Sequence, residues 1–405
     1  MEEKNACATQ ADSINFEELL QPVWEGEIAY QESVLPVMGE ANSLLPIKLL
    51  YPIKEIIKVQ NAALTMTYQE NVDYIVDNGE LLILRSGKIP IMMHREFYPA
   101  SGERGFESRE GGYICFNEGS YFHDRQIVVT YTHEANYQGY IPDGKAHLLK
   151  NLHAKLANKE DINLLVFGDS ISVGGNASGF VNVSPYLPTY SELFAEGLKQ
   201  TYGVNVHITN ESVGGKDSYW GKQTIESVLE RTQDVDLAIV AFGMNDGSLS
   251  GSSFTSNIQN IISKIQKAYS DADIIMVATM LPNYDAIHFY KNQEIFYSYM
   301  QDLETEGVAL ANMTSVHSAL LERKKYADMT GNNVNHANDY MSRVYAQTLL
   351  ATVAEKVERP EIIDSSNLNK SDTQSLWNGC NATVSLNCVY ISCLFAFVQI
   401  YKKRG

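Results

Sequence analysis

Two polar residues of this chain have the types and surroundings that nucleophilic catalysis requires. Ser170 lies in Gly168-Asp169-Ser170, directly after an apolar run that ends at Phe167, and His336 lies in a polar loop much later in the chain. A serine hydroxyl becomes a useful nucleophile only when a neighbouring base takes its proton. The pair therefore predicts acyl transfer, with Ser170 as nucleophile and His336 as base. A helix-capping serine and a surface-loop histidine are the structural alternatives.

Two further segments offer hydrogen-bond donors for a developing oxyanion. Gly215 ends the segment Asn210-Glu211-Ser212-Val213-Gly214-Gly215, and Asn245 lies in Gly243-Met244-Asn245-Asp246. A glycine N–H can approach a substrate closely, and an asparagine amide adds a second donor. We expect the two loops to direct hydrogen bonds at one developing oxyanion, although glycine and asparagine also serve simply as turn residues.

Other functional classes fit the sequence less well. The glycines after Ser170 lack both the Gly-Lys-Ser/Thr ending of a P-loop and the Gly-x-Gly-x-x-Gly spacing of dinucleotide-binding proteins. The remaining histidines show no metal-ligand spacing, so neither a metal nor an organic cofactor is predicted. A formal charge of -18 argues against nucleic acid as a partner and favours a neutral substrate.

The elements that must position these residues alternate along the second half of the chain. Continuous apolar runs, typical of parallel strands covered on both faces, occur at Leu164 to Phe167, Leu237 to Phe242 and Ile274 to Ala278. Segments with helical spacing lie between them. This alternation predicts a doubly wound parallel α/β sheet, whose ligands bind at the carboxyl ends of the strands.

The first part of the chain has a different pattern. Short β-rich runs separated by turns extend from about residue 53 to 132, and Asp77-Asn78-Gly79 marks a tight hairpin. We expect a jelly-roll-like β-sandwich over residues 1–150, a catalytic domain over 160–358, and a linker with an apolar tail over 359–405.

The two ends of the chain bear on localisation. Residues 1–15 lack the apolar run of a signal peptide, which predicts a cytoplasmic protein, with secreted and membrane-tethered proteins as alternatives. Residues 384–401 are mostly apolar and precede Lys402, Lys403 and Arg404, but polar residues interrupt them. We favour a loosely packed tail over a membrane span.

Taken together, the four segments resemble the conserved blocks of the SGNH (GDSL-like) hydrolases over roughly residues 160–357, in the order of that family. The resemblance implies a flavodoxin-like fold without a cofactor, with Ser170 as nucleophile and His336 as base. It also implies an oxyanion hole formed by Gly215, Asn245 and the backbone N–H of Ser170. The family usually has Asp three residues before the histidine, where this chain has Asn333. Asn333 or a backbone carbonyl could orient the imidazole, or another acid such as Asp328 could replace the missing one.

The predicted activity is hydrolysis of carboxylic esters through an acyl-enzyme. An N-terminal β-rich part before the hydrolase resembles some bacterial carbohydrate esterases, so we expect short acyl groups, acetyl above all, on saccharides. Lipase-like, lysophospholipase-like and thioesterase activities are the enzymatic alternatives. A carbohydrate-binding protein with an impaired active site is the non-enzymatic alternative, because the acid is absent from position 333.

Overall fold

The computed structural model describes residues 14–356 except 45, 103 and 104, and these residues belong to one compact unit. Its strands are β1 Ile28–Val34, β2 Glu55–Asn61, β3 Tyr74–Asp77, β4 Glu80–Ile83, β5 Gly105–Glu107, β6 Tyr113–Cys115, β7 Ile127–Thr132, β8 Ile162–Gly168, β9 Val206–Asn210, β10 Leu237–Ala241, β11 Asp273–Ala278 and β12 Val308–Asn312. Its α-helices are α1 Phe16–Leu20, α2 His94–Phe97, α3 Lys150–Asn158, α4 Ser170–Val173, α5 Tyr190–Tyr202, α6 Ser218–Arg231, α7 Gly251–Ala268, α8 Phe296–Gln301, α9 Met313–Leu321 and α10 Asp339–Val353.

A five-stranded parallel sheet forms the centre of the second half, as the apolar runs predicted. Its strand order is β12-β11-β10-β8-β9. Successive side chains of β8 enter two different hydrophobic clusters, Leu164 and Val166 on one face and Leu165 and Phe167 on the other. Helices α5 and α10 pack on the first face, and α6 and α7 pack on the second. The α/β architecture with a doubly covered sheet is therefore confirmed.

Antiparallel strands dominate the first part of the chain. One sheet has the order β1-β7-β2, and β3-β4 and β5-β6 form two-stranded hairpins. The predicted hairpin is confirmed, because Asn78 and Gly79 join β3 to β4 with φ angles of 49° and 78°. These positive values are what a tight hairpin turn needs. A jelly-roll sandwich, and a domain boundary near residue 150, remain predictions.

Buried polar contacts connect the antiparallel strands to the loops of the parallel sheet. The Lys324 ammonium, after α9, contacts the Glu32 carboxylate of β1 at 2.6 Å and donates to the Ser33 carbonyl at 2.9 Å. The side chains of Lys324 and Glu32 are 0% and 2% exposed. A charge buried this deeply is tolerated only when it is paired, so this contact fixes β1 against the segment that follows α9.

The apolar C-terminal run at residues 384–401 lies outside the described residues. Among residues 14–356, none of the helices is both long enough and apolar enough to cross a bilayer.

Candidate active site

Ser170 is the first residue of the short helix α4, at the carboxyl end of β8. The Asp169 carboxylate caps this helix by accepting a hydrogen bond from the Ile171 N–H at 3.0 Å. Gly168 allows the close approach of β10, because a Cβ at this position would lie 2.4 Å from the Ala241 carbonyl oxygen. The N–H of a residue in the first turn of a helix has no partner within the helix. Ser170 thus presents both a hydroxyl and a backbone donor at the sheet edge.

The loop before α10 holds His336 through its own side chains. The Asn332 side-chain oxygen accepts hydrogen bonds from the backbone N–H groups of Val334, Asn335 and His336 at 3.0, 3.0 and 3.1 Å. The Thr330 hydroxyl donates to the His336 carbonyl at 2.8 Å. These bonds replace the regular secondary structure that the loop lacks, so the imidazole is carried by an ordered backbone.

The structure brings His336 to Ser170. The imidazole Nε2 lies 2.9 Å from the Ser170 Oγ, and Nδ1 lies 2.5 Å from the Asn176 Oδ1. The Asn176 Nδ2 in turn donates to the Gly119 carbonyl at 3.0 Å, which fixes the orientation of the amide. Because the amide oxygen therefore faces Nδ1, the proton of neutral His336 belongs on Nδ1 and Nε2 accepts from the serine hydroxyl. That tautomer is the one a general base requires.

An acid approaches the same nitrogen from the first part of the chain. Glu118, in the segment after β6, places its Oε2 3.3 Å from the His336 Nδ1. Its Oε1 accepts from the Asn332 Nδ2 at 3.1 Å. Partial burial raises the pKa of the Glu118 carboxyl. Hydrogen bonds from His336, Asn332 and Asn176, together with the charge of His336, lower the pKa by more than burial raises it. The pKa therefore lies below its ordinary value.

The two predicted oxyanion segments face Ser170. A Cβ on Gly214 would lie 3.8 Å from the Ser170 Cβ, and Gly215 has a φ of 72°, which favours glycine. Asn245 follows β10 and donates one amide hydrogen to the Lys216 carbonyl at 2.9 Å. An amide nitrogen carries two hydrogens, so this bond anchors Asn245 to the glycine loop without using its second donor.

Two buried carboxyls, those of Asp169 and Asp246, accept hydrogen bonds from these loops. Burial, together with the nearby charge of Asp246, raises the pKa of Asp169 to about 7, although backbone N–H groups of Ile171 and Met244 stabilise its ionised form. Burial likewise raises the pKa of Asp246 to about 6, against hydrogen bonds from Ser218. Asp169 thus joins the segments of Ser170 and Asn245, while Asp246 joins the segment of Asn245 to the start of α6.

A cleft of about 470 Å³ opens over the serine and the histidine. Val173, Phe180 and Val181 form an apolar wall, and Phe180 is 56% exposed. The other lining residues are Glu118, Gly119, Ser170, Gly175, Asn176, Gly214, Gly215, Asn245, Asn335 and His336. All four residues predicted as nucleophile, base and oxyanion donors therefore line one cleft. Within the described part of the chain, no cluster of three or more His, Cys, Asp or Glu is arranged to hold a metal ion.

Asn333, the predicted orienter of the imidazole, is directed elsewhere. Its side chain donates to the Cys115 carbonyl at 3.0 Å and accepts from the Asn283 Nδ2 at 3.3 Å, and it is fully buried. Its positive φ of 66° aims the side chain into the protein. The alternative acid, Asp328, is buried and accepts a hydrogen bond at 2.8 Å from the N–H of Leu35, the residue that follows β1. The His336 Nδ1 instead faces Asn176 and Glu118.

Sequence reasoning missed both of these partners. Asn176 follows the glycine pair after Ser170, and its positive φ of 65° is the kind of position that asparagine tolerates. Glu118 precedes Gly119 in a polar turn, and no spacing connects it to a histidine so far along the chain. The available signal was the missing acid at position 333, which implied that another group must face the imidazole.

The family model described as the GDSL-like lipase/acylhydrolase family matches residues 166–344. This chain carries a GDSL-like hydrolase domain. The matched segment of the GDSL-like domain begins in β8 and ends in α10, so it contains Ser170, Gly215, Asn245 and His336 and leaves out Glu118. No curated protein matches the sequence.

Solved esterase structures resemble parts of the chain. A two-domain esterase active on acetylated mannans is 18% identical, with a TM-score of 0.43, over 55% of this chain and 60% of its own. Axe2, an acetylxylan esterase from Geobacillus stearothermophilus, is 14% identical, with a TM-score of 0.41, over 51% of this chain and 100% of its own. The SGNH-hydrolase family esterase AlinE4 is 23% identical, with a TM-score of 0.31, over 39% of this chain and 78% of its own. The chain thus spans about three fifths of the two-domain esterase.

Proposed function

We propose that this protein is a serine esterase that hydrolyses carboxylic esters through an acyl-enzyme. The observation that carries the proposal is the contact between the His336 Nε2 and the Ser170 Oγ at 2.9 Å, with Nδ1 of the same ring held by Asn176. The geometry lies within the range that direct proton transfer needs. A helix-capping serine and a surface histidine would have no reason to meet in this way.

In the proposed reaction the Ser170 oxygen attacks the ester carbonyl carbon while its proton moves to the His336 Nε2. The carbonyl oxygen becomes an oxyanion, which accepts hydrogen bonds from the backbone N–H groups of Ser170 and Gly215 and from the Asn245 amide. Collapse of this intermediate breaks the ester bond, and the imidazolium returns the proton to the leaving alcohol. Water then attacks the acyl-enzyme with His336 again acting as base, which releases the carboxylic acid and restores Ser170.

For the substrate, we propose a short acyl group, acetyl above all, on a saccharide hydroxyl. The exposed ring of Phe180 offers a flat apolar surface, and Glu118 and Asn335 place polar groups on the same cleft. A sugar ring presents both kinds of surface, whereas a fatty acyl chain would gain nothing from the polar groups. The β-rich first part, which we interpret as a jelly-roll-like domain, would then be an accessory to the hydrolase.

The test is hydrolysis of p-nitrophenyl esters from acetate to octanoate, followed by acetylated oligosaccharides and a lysophospholipid. We expect the acetate ester to be preferred and Ser170→Ala and His336→Ala each to reduce kcat at least about 10³-fold. Ser252→Ala, at an exposed serine in the first turn of α7, is the matched control and should leave activity unchanged. A folded protein that binds acetylated saccharides without turnover would refute the esterase and favour a binding protein, and preference for octanoate would refute the short-acyl substrate.

A further inference from the structure

The His336 side chain becomes positively charged each time it takes the serine proton, and a compensating negative charge makes that step easier. Asn176 fixes the tautomer but carries no charge, and Asn333 is turned away towards Cys115. The GDSL-like segment by itself therefore supplies an orienting group without the usual anion beside Nδ1.

The charged groups that face His336 come from two elements. Glu118 approaches Nδ1 from the segment after β6, and Asp169 lies buried at the end of β8, where its charge also interacts with that of His336. Burial raises the pKa of Asp169 to about 7, so much of this carboxyl is neutral near neutral pH. The half-exposed carboxyl of Glu118 has a lowered pKa and is ionised under the same conditions.

Two contacts hold the Glu118 carboxylate in place, and a third holds the backbone beside it. Oε1 accepts from the Asn332 Nδ2, Oε2 faces the His336 Nδ1, and the next residue, Gly119, accepts from the Asn176 Nδ2 at 3.0 Å. Asn332 and Asn176 are themselves the residues that hold the histidine loop and the imidazole. The carboxylate thus belongs to the same hydrogen-bond network as the base.

We propose that Glu118, outside the matched hydrolase segment, is the positioning and charge-compensating residue for His336 and replaces the acid missing from position 333. This inference rests on the proposed esterase function. It assigns the third member of the triad to the β-rich first part of the chain, so that part contributes to catalysis as well as to any accessory role.

The test compares Glu118→Gln with wild type in kcat, KM and the pH dependence of kcat/KM on p-nitrophenyl acetate. Glutamine keeps an acceptor oxygen for Asn332 but replaces the oxygen that faces the His336 Nδ1 by an uncharged NH2 group, while the Asn176 oxygen still faces Nδ1. We expect kcat to fall about 10- to 100-fold with KM little changed, less than the ~10⁴-fold loss that follows when a substitution also imposes the wrong tautomer. The pH dependence of kcat/KM should also differ from that of wild type, because the charge beside the imidazole has been removed.

Two further variants separate charge from structure. Glu118→Asp retains the charge one methylene farther away and should restore part of the lost kcat, and Glu110→Gln, at an exposed position of the β5-β6 hairpin, is the matched control. If Glu118→Gln matches Glu110→Gln in kcat and pH profile while Ser170→Ala is inactive, the inference fails and the esterase stands. If Ser170→Ala retains activity, the proposed function itself fails.

Discussion

Replacing Asn333 by the aspartate usual in the family, Asn333→Asp, should damage this protein instead of improving it. Sequence comparison alone suggests that the missing acid would complete a triad. In the structure, however, the Asn333 amide donates to the Cys115 carbonyl at 3.0 Å in a fully buried site. A carboxylate at position 333 would place one of its oxygens against the Cys115 carbonyl oxygen, where neither can donate a hydrogen bond. The Asn283 amide could still donate to the other carboxylate oxygen.

The cost follows from the burial of an uncompensated charge. Leaving one buried ionic group without its partner costs about 3–5 kcal/mol, and for a chain of this size that lowers the Tm by roughly 4–7 °C. The introduced carboxyl should have a raised pKa in the folded state. Its penalty therefore grows as pH rises above the unfolded value of about 4, and the deficit in stability shrinks again as pH falls towards that value.

The assay is thermal unfolding of Asn333→Asp and wild type between about pH 4 and pH 8, with kcat/KM measured at neutral pH. The control Asn136→Asp makes the same change in charge at an exposed position, and its Tm should equal that of wild type at every pH. A variant that keeps the wild-type Tm and gains activity would show that the new carboxyl reaches His336, and the placement of residue 333 would then be wrong.

Three further changes test the surrounding framework. Asn245→Ala should lower kcat about 10²- to 10³-fold through loss of an oxyanion donor, as measured on p-nitrophenyl acetate. Because the Asp169 pKa is raised to about 7 in the folded state, its contribution to stability is lost as pH rises from about 4 to 7. Denaturant titrations should show wild type losing stability relative to Asp169→Asn over this range. Glu32→Gln should cost about 3–5 kcal/mol in the same titrations, because it leaves the Lys324 charge buried and unpaired. Equal stability of either variant and wild type across these titrations would contradict the corresponding assignment.

The parallel sheet could be predicted because its strands are buried on both faces and read as continuous apolar runs. The runs beginning at Leu164, Leu237 and Ile274 all lie within β8, β10 and β11 or extend one residue beyond them. Strand β1 was not predicted, since Ile28–Val34 contains Gln31 and Glu32, which interrupt the apolar pattern of a strand. Buried Glu32 contacts Lys324 and accepts hydrogen bonds from the Leu50 N–H and the Tyr131 hydroxyl, and such long-range contacts leave no local pattern.

The residues of the candidate site also differ in whether the sequence predicted them. Ser170, Gly215, Asn245 and His336 follow strands or precede a helix within short recognisable segments, so sequence order was enough to place them in one cleft. The partner of the His336 Nδ1 depends instead on which way a side chain turns at a positive φ, as at Asn333, and on a loop from another sheet, as at Glu118. Neither is encoded in spacing.

Asn338, the N-cap of α10, bonds through its side-chain nitrogen to the Ser33 hydroxyl on β1, to the Gln126 side chain just before β7, and to the Asp328 carbonyl. The loop that carries the imidazole is therefore fastened, two residues after His336, to the antiparallel sheet. Fraying of β1 and β7 would release that loop while the parallel sheet was still intact. Heat inactivation should accordingly precede loss of the α/β core, and stabilising the antiparallel strands is the direct route to an enzyme that stays active longer at high temperature.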